Sequence, residues 1–325
     1  MNGSMIKILI VMPKDREIDI CIVRNLEKAG FQVELFFNKN FQVLSRSKTF
    51  RFINFLSKLF LRISIKKTLQ KKQDRAFFKK RIKELDFYDL VLCIRPDILS
   101  LDEIKVLKNK SKRICAYQWD GLSRFRSVYS TISSFDSFFV FDKNDLNFSS
   151  KLRHTTNFCL APFVEPCAEP FGDAFFIGDV DLFRYQMLCK IGTELINLGL
   201  RLNFNITRVP SFGTAPLSGL IEIKGVSYNQ NLLMQSPARV IIDIAHRDTH
   251  SGLSFRFFEA LISKKKVITT NTSVLEYDFY HPNNIYIYGY SEISVADFMS
   301  LPYFNIDPEI GDKYKIKNWI NQFLD

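Results

Sequence analysis

The chain has 325 residues, 46% of them apolar, and a formal net charge of +11. This length favours two domains of roughly 150 residues each, and the apolar content excludes a disordered chain. No apolar run approaches the ~20 residues that cross a bilayer, and the N-terminus lacks the basic, apolar and small-residue regions of a signal peptide. We therefore expect a cytoplasmic protein.

The positive charge is concentrated in one segment. Residues 46–83 contain fourteen Lys or Arg and one acid, Asp74, which gives this segment a net charge of +13 and leaves −2 for the rest. The cysteines and histidines show no such clustering, since six Cys lack a CxxC pair and four His lack an HExxH motif. This pattern is typical of reduced thiols, so we expect neither a metal nor a cofactor.

The first half of the chain alternates apolar runs with helix-like segments. The helix prediction covers 18–30, and the predicted strands are 6–12, 31–37, 88–94, 113–119 and 137–142. A stretch with three prolines and a glycine follows at 158–173 and is typical of an extended linker. Strands separated by helices predict a parallel sheet covered on its faces.

The same alternation resumes after the linker. Strands are predicted at 174–178, 201–207, 238–245, 266–270 and 284–289, and helices at 182–198, 229–235, after Ser251 and at 312–324. We predict an α/β fold of two doubly wound, Rossmann-like domains that face a central cleft. The domains are 1–160 with the basic insertion 46–83, a linker at 161–173, and 174–305, followed by a C-terminal helix at 306–325. Ligands of such sheets bind beyond the carboxyl ends of the strands, so the cleft is the expected site.

The sequence SGLSFRFFEAL at 251–261 combines a helix start with polar groups. Gly252 allows a close approach of the backbone, Ser251 suits an N-cap, and the first helical turn offers free N–H groups to an anion. A diphosphate fits there, with Arg256 adding charge and Glu259 accepting hydrogen bonds from a ribose. An ordinary capped helix with a surface Arg256–Glu259 pair fits these residues equally well.

The stretch SPARVIIDIAHRDTHSGLSFRFFEALISKKKVITTN at 236–271 resembles the donor half of GT-B glycosyltransferases. The resemblance is to bacterial enzymes that build lipopolysaccharide or capsule, and it implies that Glu259 binds the donor ribose. Many retaining members carry a second glutamate eight residues earlier, where this chain has Ser251. The resemblance therefore implies inverting transfer.

Two further stretches resemble the same family. FFIGDVDLFRY at 175–185 is similar to the first strand and loop of the donor domain, which implies that Gly178 and Arg184 lie near the diphosphate. Its DVD sequence at 179–181 is assigned to the phosphate loop, since this design does not require a metal. FDSFFVFDKND at 135–145 resembles the last strand of the acceptor domain.

Inverting transfer needs a general base near the acceptor hydroxyl. In AYQWDGLSRF, Asp120 follows a strand and is the candidate base, while Trp119 offers a ring for sugar stacking. Asp15, after the first strand, is the second candidate. Either aspartate also suits a turn or helix cap. We expect His246 and His250 on a solvated loop rather than against the diphosphate.

The basic segment combines charged and apolar residues at helical spacing. One stripe of it contains four basic residues, Arg51, Lys58, Arg62 and Lys66. Such a helix can lie on an anionic membrane, where each Lys or Arg contributes about 1 kcal/mol. A solvated helix face over the first sheet is the alternative, although ordinary faces mix charges of both signs.

Together these features predict a glycosyltransferase. It would move a sugar from a nucleotide-sugar to a glycan or lipid-linked acceptor in bacterial surface polysaccharide synthesis, on the inner face of the cell membrane. The alternatives are a catalytically inactive scaffold of the same fold and a protein that binds polyanions or nucleic acid through 46–83. No nucleic-acid-binding motif accompanies that charge, so we expect no nucleic-acid partner.

Overall fold

The computed structural model describes residues 5–37, 55, 65–162, 172–207, 219–223, 225–245 and 250–325. The first domain is built on a parallel sheet of six strands in the order β2-β1-β3-β4-β5-β6. Its strands are β1 (Lys7–Val11), β2 (Gln32–Phe36), β3 (Tyr88–Ile94), β4 (Ser111–Gln118), β5 (Ser137–Val140) and β6 (Leu152–His154). Alternate residues of β1 enter different cores, Ile8 and Ile10 on one face and Leu9 and Val11 on the other. Burial on both faces explains why these strands are continuous apolar runs.

Helices cover both faces of the first sheet. They are α1 (Ile18–Lys28), α2 (Ile65–Glu84) and α3 (Leu101–Lys108). The start of α3 is fixed by a capping box, in which Ser100 accepts from the Glu103 amide and the Glu103 carboxylate accepts from the Ser100 amide. On the same face as α3, Phe78 and Ile82 of α2 are buried in the core.

The second domain repeats this plan with a sheet in the order β12-β11-β10-β7-β8-β9, again all parallel. Its strands are β7 (Ala174–Gly178), β8 (Leu202–Ile206), β9 (Leu220–Glu222), β10 (Val240–Asp243), β11 (Lys266–Thr269) and β12 (Ile285–Ile287). Its helices are α4 (Leu182–Asn197), α5 (Tyr228–Gln235), α6 (Phe255–Ile262) and α7 (Val295–Ser300). Two parallel sheets with interleaved helices confirm the predicted fold class.

Each sheet has one position at which the strand order reverses. In the first sheet it lies between β1 and β3, and in the second between β7 and β10. Crevices for ligands open outside the carboxyl ends of the strands at such positions. Gly178 and Asp243 are the last residues of β7 and β10, so they mark this crevice in the second domain.

The C-terminal segment differs from its prediction. A single helix at 312–324 is wrong, because the segment forms α8 (Pro308–Lys313), α9 (Ile316–Trp319) and a 3-10 turn at Ile320–Phe323. α8 packs against the second domain through Ile310 and Gly311, whereas α9 and the 3-10 turn pack against the first domain. Ile316, Trp319 and Phe323 are buried in the same core as α1. The segment therefore crosses from the second domain back to the first.

The predicted membrane stripe lies mostly outside the described residues. Arg51, Lys58 and Arg62 fall outside them, and Lys66 lies in α2 with its side chain outside them. The end of α2 packs over the first sheet, which was the alternative to a membrane-bound helix. Phe78 of α2 lies edge-on to Phe36 of β2, with 5.5 Å between ring centroids. Within the described parts of the chain, no helix is both long and apolar enough to cross a bilayer.

We expect Trp319→Ala to lower the free energy of unfolding by about 3–5 kcal/mol, as for other buried aromatic residues. Trp319 is 4% exposed, its ring centroid lies 4.4 Å from that of Phe158, and its indole N–H donates to the Thr156 carbonyl at 2.8 Å. Urea denaturation followed by circular dichroism measures the change. Ile293→Ala, at a 40% exposed position, is the control and should change stability by less than about 0.5 kcal/mol. Equal effects of the two substitutions would contradict the docking of this segment.

Candidate functional site

Two arginines meet at the carboxyl ends of β7 and β10. A Cβ atom added to Gly178 would lie 3.1 Å from a terminal nitrogen of Arg256 and 3.9 Å from one of Arg184. Both guanidinium groups also lie close to the ring of Phe176, with centroid distances of 5.5 Å for Arg256 and 5.8 Å for Arg184. The structure therefore brings together three residues that the sequence assigned to the diphosphate. Their contact with a ligand stays a prediction.

Arg256, in the first turn of α6, is anchored to the second sheet. It donates to Asp243 Oδ1 at 3.1 Å and to the Ile177 carbonyl. Asp243 is 3% exposed and also accepts from Ser254 Oγ at 2.7 Å. Among the described residues the buried Arg256 Nε has no hydrogen-bond partner. A group with acceptor oxygens would satisfy this donor.

Arg184 is buried, with 3% of its surface exposed. Its Nε donates to the Ile244 carbonyl at 3.0 Å and a terminal nitrogen donates to the Asp179 carbonyl. Burial, and next the charge of Arg256, lower the pKa of Arg184 to about 10. An anion placed beside both guanidinium groups would offset these two effects, so the crevice is suited to a phosphate or diphosphate.

The start of α6 differs from the prediction. Ser251 is not the N-cap, because the helix begins at Phe255 with Ser254 as its N-cap residue. The Ser254 hydroxyl donates to Asp243, and no side chain caps the first turn. Ser251 instead binds Asp142 of the first domain, through its amide at 2.7 Å and its hydroxyl at 2.6 Å. Its predicted contact with the donor would compete with these bonds.

Gly252 brings the two domains together. A Cβ atom at this position would lie 2.6 Å from two ring carbons of Phe141 and 2.7 Å from the Phe141 carbonyl oxygen. The backbone at Gly252 therefore approaches another group closely, as the sequence indicated. The group that approaches Gly252 in this structure is the end of the first sheet. Next to it, Asn157 of the first domain donates to the Leu253 carbonyl at 2.9 Å.

Glu259 is buried in the second turn of α6 and does not form the surface pair with Arg256 that was the alternative. It is 3% exposed, and its oxygens accept from Tyr228 Oη at 2.6 Å and Gln235 Nε2 at 2.9 Å. Burial raises the pKa of Glu259. A ribose would have to share or replace these two donors, so ribose binding stays a prediction.

Asp120, the first candidate base, follows β4 and is held by two arginines. Its oxygens accept from Arg95 and from Arg124, each at 3.1 Å. Arg95 also forms a two-bonded ion pair with Asp97 and lies 4.2 Å from the Phe125 ring centroid. The carboxylate is therefore fixed in place, and an acceptor hydroxyl would share it with these guanidinium groups. The catalytic role stays a prediction.

Trp119 and Asp15, which the sequence assigned to the acceptor side, follow different strands of the first domain, β4 and β1. Trp119 is half-buried and packs edge-on to Phe255 of α6, with 5.8 Å between ring centroids. Asp15 is exposed, and its carbonyl accepts from the Ile18 amide at the start of α1. The main-chain carbonyl of the next residue, Arg16, accepts from the Tyr228 amide at 2.7 Å and so links the loop to the second domain. Neither candidate role is tested by these contacts.

Sequence reasoning missed Asp142 and misplaced His250, and both lie at the domain contact. Asp142 ends the FDSFFVFD run, and its position after a strand was the available signal. His250 is half-buried rather than on a solvated loop, with its ring 4.9 Å from that of Phe141 and Nδ1 3.2 Å from the Gly252 carbonyl oxygen. Burial lowers the pKa of His250, while the carboxylates of Asp120 and Asp142 act in the opposite direction. His246 lies outside the described residues.

The described residues contain no group of three or more His, Cys, Asp or Glu side chains placed to hold a metal ion. The absence of a metal or cofactor from the function stays a prediction.

No protein-family model and no curated protein matches the chain. Among solved structures, it is similar to the N-terminal domain of trehalose-6-phosphate phosphatase from Candida albicans, with a TM-score of 0.57 and 12% identity over 100% of this chain and 97% of that chain. It is also similar to a candidate UDP-N-acetylglucosamine 2-epimerase from Listeria monocytogenes, with a TM-score of 0.50 and 12% identity over 99% of this chain and 95% of that chain. At this identity the likeness concerns the fold, which is of the GT-B type.

We expect Gly252→Ala to destabilise the domain contact, because the added methyl group cannot fit against Phe141. Overpacking of this kind costs about 1–3 kcal/mol. Urea denaturation measures the loss, and small-angle scattering should show a larger radius of gyration as the domains separate. The matched control is Gly311→Ala, where the new Cβ would lie 3.5 Å from Ile262, an ordinary contact. A wild-type radius and stability for Gly252→Ala would show that the contact is not needed.

We expect the difference in stability between the wild type and Asp145→Asn to depend on pH. Asp145 is 5% exposed and accepts from the Leu122 amide at 3.0 Å, and burial, with the charge of Asp142, raises its pKa from 3.8 to about 6. Because the folded-state pKa is raised, the stability from this carboxyl is present below pH 3.8 and is lost as the pH rises through 6. Relative to Asp145→Asn, the wild type should lose up to about 3 kcal/mol between pH 4 and 7. Parallel urea-denaturation profiles of the two proteins would contradict this.

Proposed function

We propose that the chain is a glycosyltransferase of bacterial surface polysaccharide synthesis, of the lipopolysaccharide or capsule type. It takes a sugar from a nucleotide-sugar bound to the second domain and passes it to a glycan or lipid-linked acceptor at the first. Transfer inverts the anomeric centre and uses no metal. The proposal is supported chiefly by the arginine pair, Arg184 and Arg256, at the carboxyl ends of β7 and β10.

This arginine pair suits the departing diphosphate. The two guanidinium groups share one low-dielectric crevice, where the charge of Arg256 lowers the pKa of Arg184 and one Nε lacks a partner among the described residues. Main-chain carbonyls fix both side chains before any ligand arrives. Preorganised cations of this kind stabilise negative charge that develops on a leaving group without costly rearrangement.

The acceptor side completes the proposed reaction. Asp120 takes the proton of the attacking hydroxyl, Asp15 is the second candidate for that role, and Trp119 stacks on the acceptor sugar. Glu259 binds the ribose after exchanging a hydrogen bond with Tyr228 or Gln235. The Listeria neighbour is named for an activity on UDP-N-acetylglucosamine, which is a nucleotide-sugar, and this agrees with the proposed donor class.

Attachment to the inner face of the membrane is part of this proposal. It rests on residues 46–83, whose net charge of +13 contrasts with −2 for the remainder. A basic amphipathic segment of this kind binds anionic lipid surfaces. Such binding would bring the first domain to a lipid-linked acceptor.

The first experiment is a thermal-shift screen with UDP, GDP, CDP, ADP and CMP. At one hundred times its dissociation constant, the matching nucleotide adds about 2.7 kcal/mol of stability. We expect one nucleoside diphosphate to raise the melting temperature of the wild type. The shift should be lost in Arg256→Gln and in Glu259→Ala, and retained in Arg126→Gln, which removes an equal charge from an exposed position of the first domain. No selective shift, or a full shift in Arg256→Gln, would overturn the donor site.

A second assay separates a transferase from an inactive scaffold. The protein is incubated with a lipid extract of bacterial membranes and with a nucleotide-sugar that contains the nucleotide found in the first experiment. Release of the nucleoside diphosphate is measured. We expect release that falls by a factor of about 100 or more in Asp120→Asn, since general bases contribute 10²–10⁴-fold. Tight nucleotide binding without release would favour the scaffold.

A further inference from the structure

A cavity lies toward the carboxyl end of α6, and its described lining includes Glu259 but neither Arg184 nor Arg256. Its volume is about 610 Å³, which is within the usual range for small-molecule sites. The first domain contributes the end of α1 and residues 159–162 to its walls, and the second domain contributes α5 and the end of α6. Residues 315–317 of the C-terminal segment close it. The cavity is therefore formed jointly by the first domain, the second domain and the C-terminal segment.

The cavity wall combines apolar side chains with mostly positive charge. Four lysines and a single acid, Glu259, belong to its described lining. Both Glu259 oxygens already accept hydrogen bonds from Tyr228 and Gln235. The apolar part includes Leu160, Leu232, Leu233, Ile262 and Ile316. The four lysines are Lys28, Lys265, Lys315 and Lys317.

The four lysines differ in how firmly they are held. Lys265 donates to the carbonyls of Ser236 at 2.5 Å and Ala238 at 2.6 Å, and burial lowers its pKa to about 8. Lys315 pairs with Asp312. Lys28 and Lys317 are exposed, and neither forms an ion pair within the described part of the chain. The mouth of the cavity thus carries two ammonium groups that can turn toward a ligand.

We propose that this cavity binds a small anionic amphiphile, whose apolar body lies against the leucines of α5 and whose acidic head meets the lysines. A phosphate, sulfonate or carboxylate is a suitable head, because each accepts hydrogen bonds from ammonium groups. A nucleotide-sugar has only its base to place against an apolar wall, because its ribose, diphosphate and sugar are all polar. Since both domains line the cavity, its occupant holds them together. The inference does not depend on sugar transfer.

The test uses the fluorescent probe 1-anilinonaphthalene-8-sulfonate, which has an aromatic body and a sulfonate head. We expect saturable binding to the wild type, weakened about ten-fold in Lys28→Gln/Lys317→Gln, since each lost charge contributes a few-fold. The control, Lys105→Gln/Lys190→Gln, removes the same charge from exposed positions of α3 and α4 and should bind like the wild type. Equal affinities of the two double variants would overturn the proposal.

Two further experiments locate the bound probe and compare the contributions of an acidic head and an apolar body to binding. Arg256→Gln should leave the affinity for the probe unchanged, and weaker binding would place the probe in the arginine crevice instead. Decyl phosphate below its micelle concentration should displace the probe at an at least ten-fold lower concentration than inorganic phosphate or decanol. Equal potency of inorganic phosphate would indicate an anion site only, and equal potency of decanol an apolar cavity only. Either result would overturn the proposal.

Discussion

The contact between Gly252 and Phe141 determines how the two domains face each other. Only a residue without a side chain fits against this ring and its carbonyl. Asp142, the next residue along, then accepts two hydrogen bonds from Ser251. This places the end of β5 in the first sheet against the residues that lead into α6, the helix that carries Arg256 and Glu259. Arg256 and Glu259, both on α6, are thereby positioned relative to the first domain.

The arginine crevice shows how buried charge is tolerated in the second domain. Asp243 compensates Arg256 directly, and it receives further hydrogen bonds from Ser254 and Thr269. Arg184 is compensated by main-chain carbonyls and by the charges of Asp243, Asp181 and Asp179, although burial and Arg256 still lower its pKa to about 10. Two guanidinium groups side by side in a buried crevice are suited to bind an anion and to hold it in a fixed orientation.

Aromatic rings connect Trp119 of the first domain to the C-terminal segment. Trp119 contacts Phe255, which contacts Phe158, which in turn packs against Trp319 of the C-terminal segment. The ring proposed to stack on a sugar is thus part of the domain contact in this structure. One part of the half-buried Trp119 ring is exposed, and another part packs against Phe255 of the second domain.

The sequence by itself determined the α/β repeat, the two domains and the residue types at the second crevice, because apolar periodicity reports local burial directly. It did not indicate the three-residue strands β6 and β9, which depend on pairing with β5 and β8. It also joined the C-terminal pieces into one helix, although α8 packs on the second domain and α9 on the first. Only the tertiary structure paired Arg256 with Asp243, Ser251 with Asp142 and Gly252 with Phe141. Such partners are distant along the chain, and packing, which no local pattern encodes, decides which residues meet.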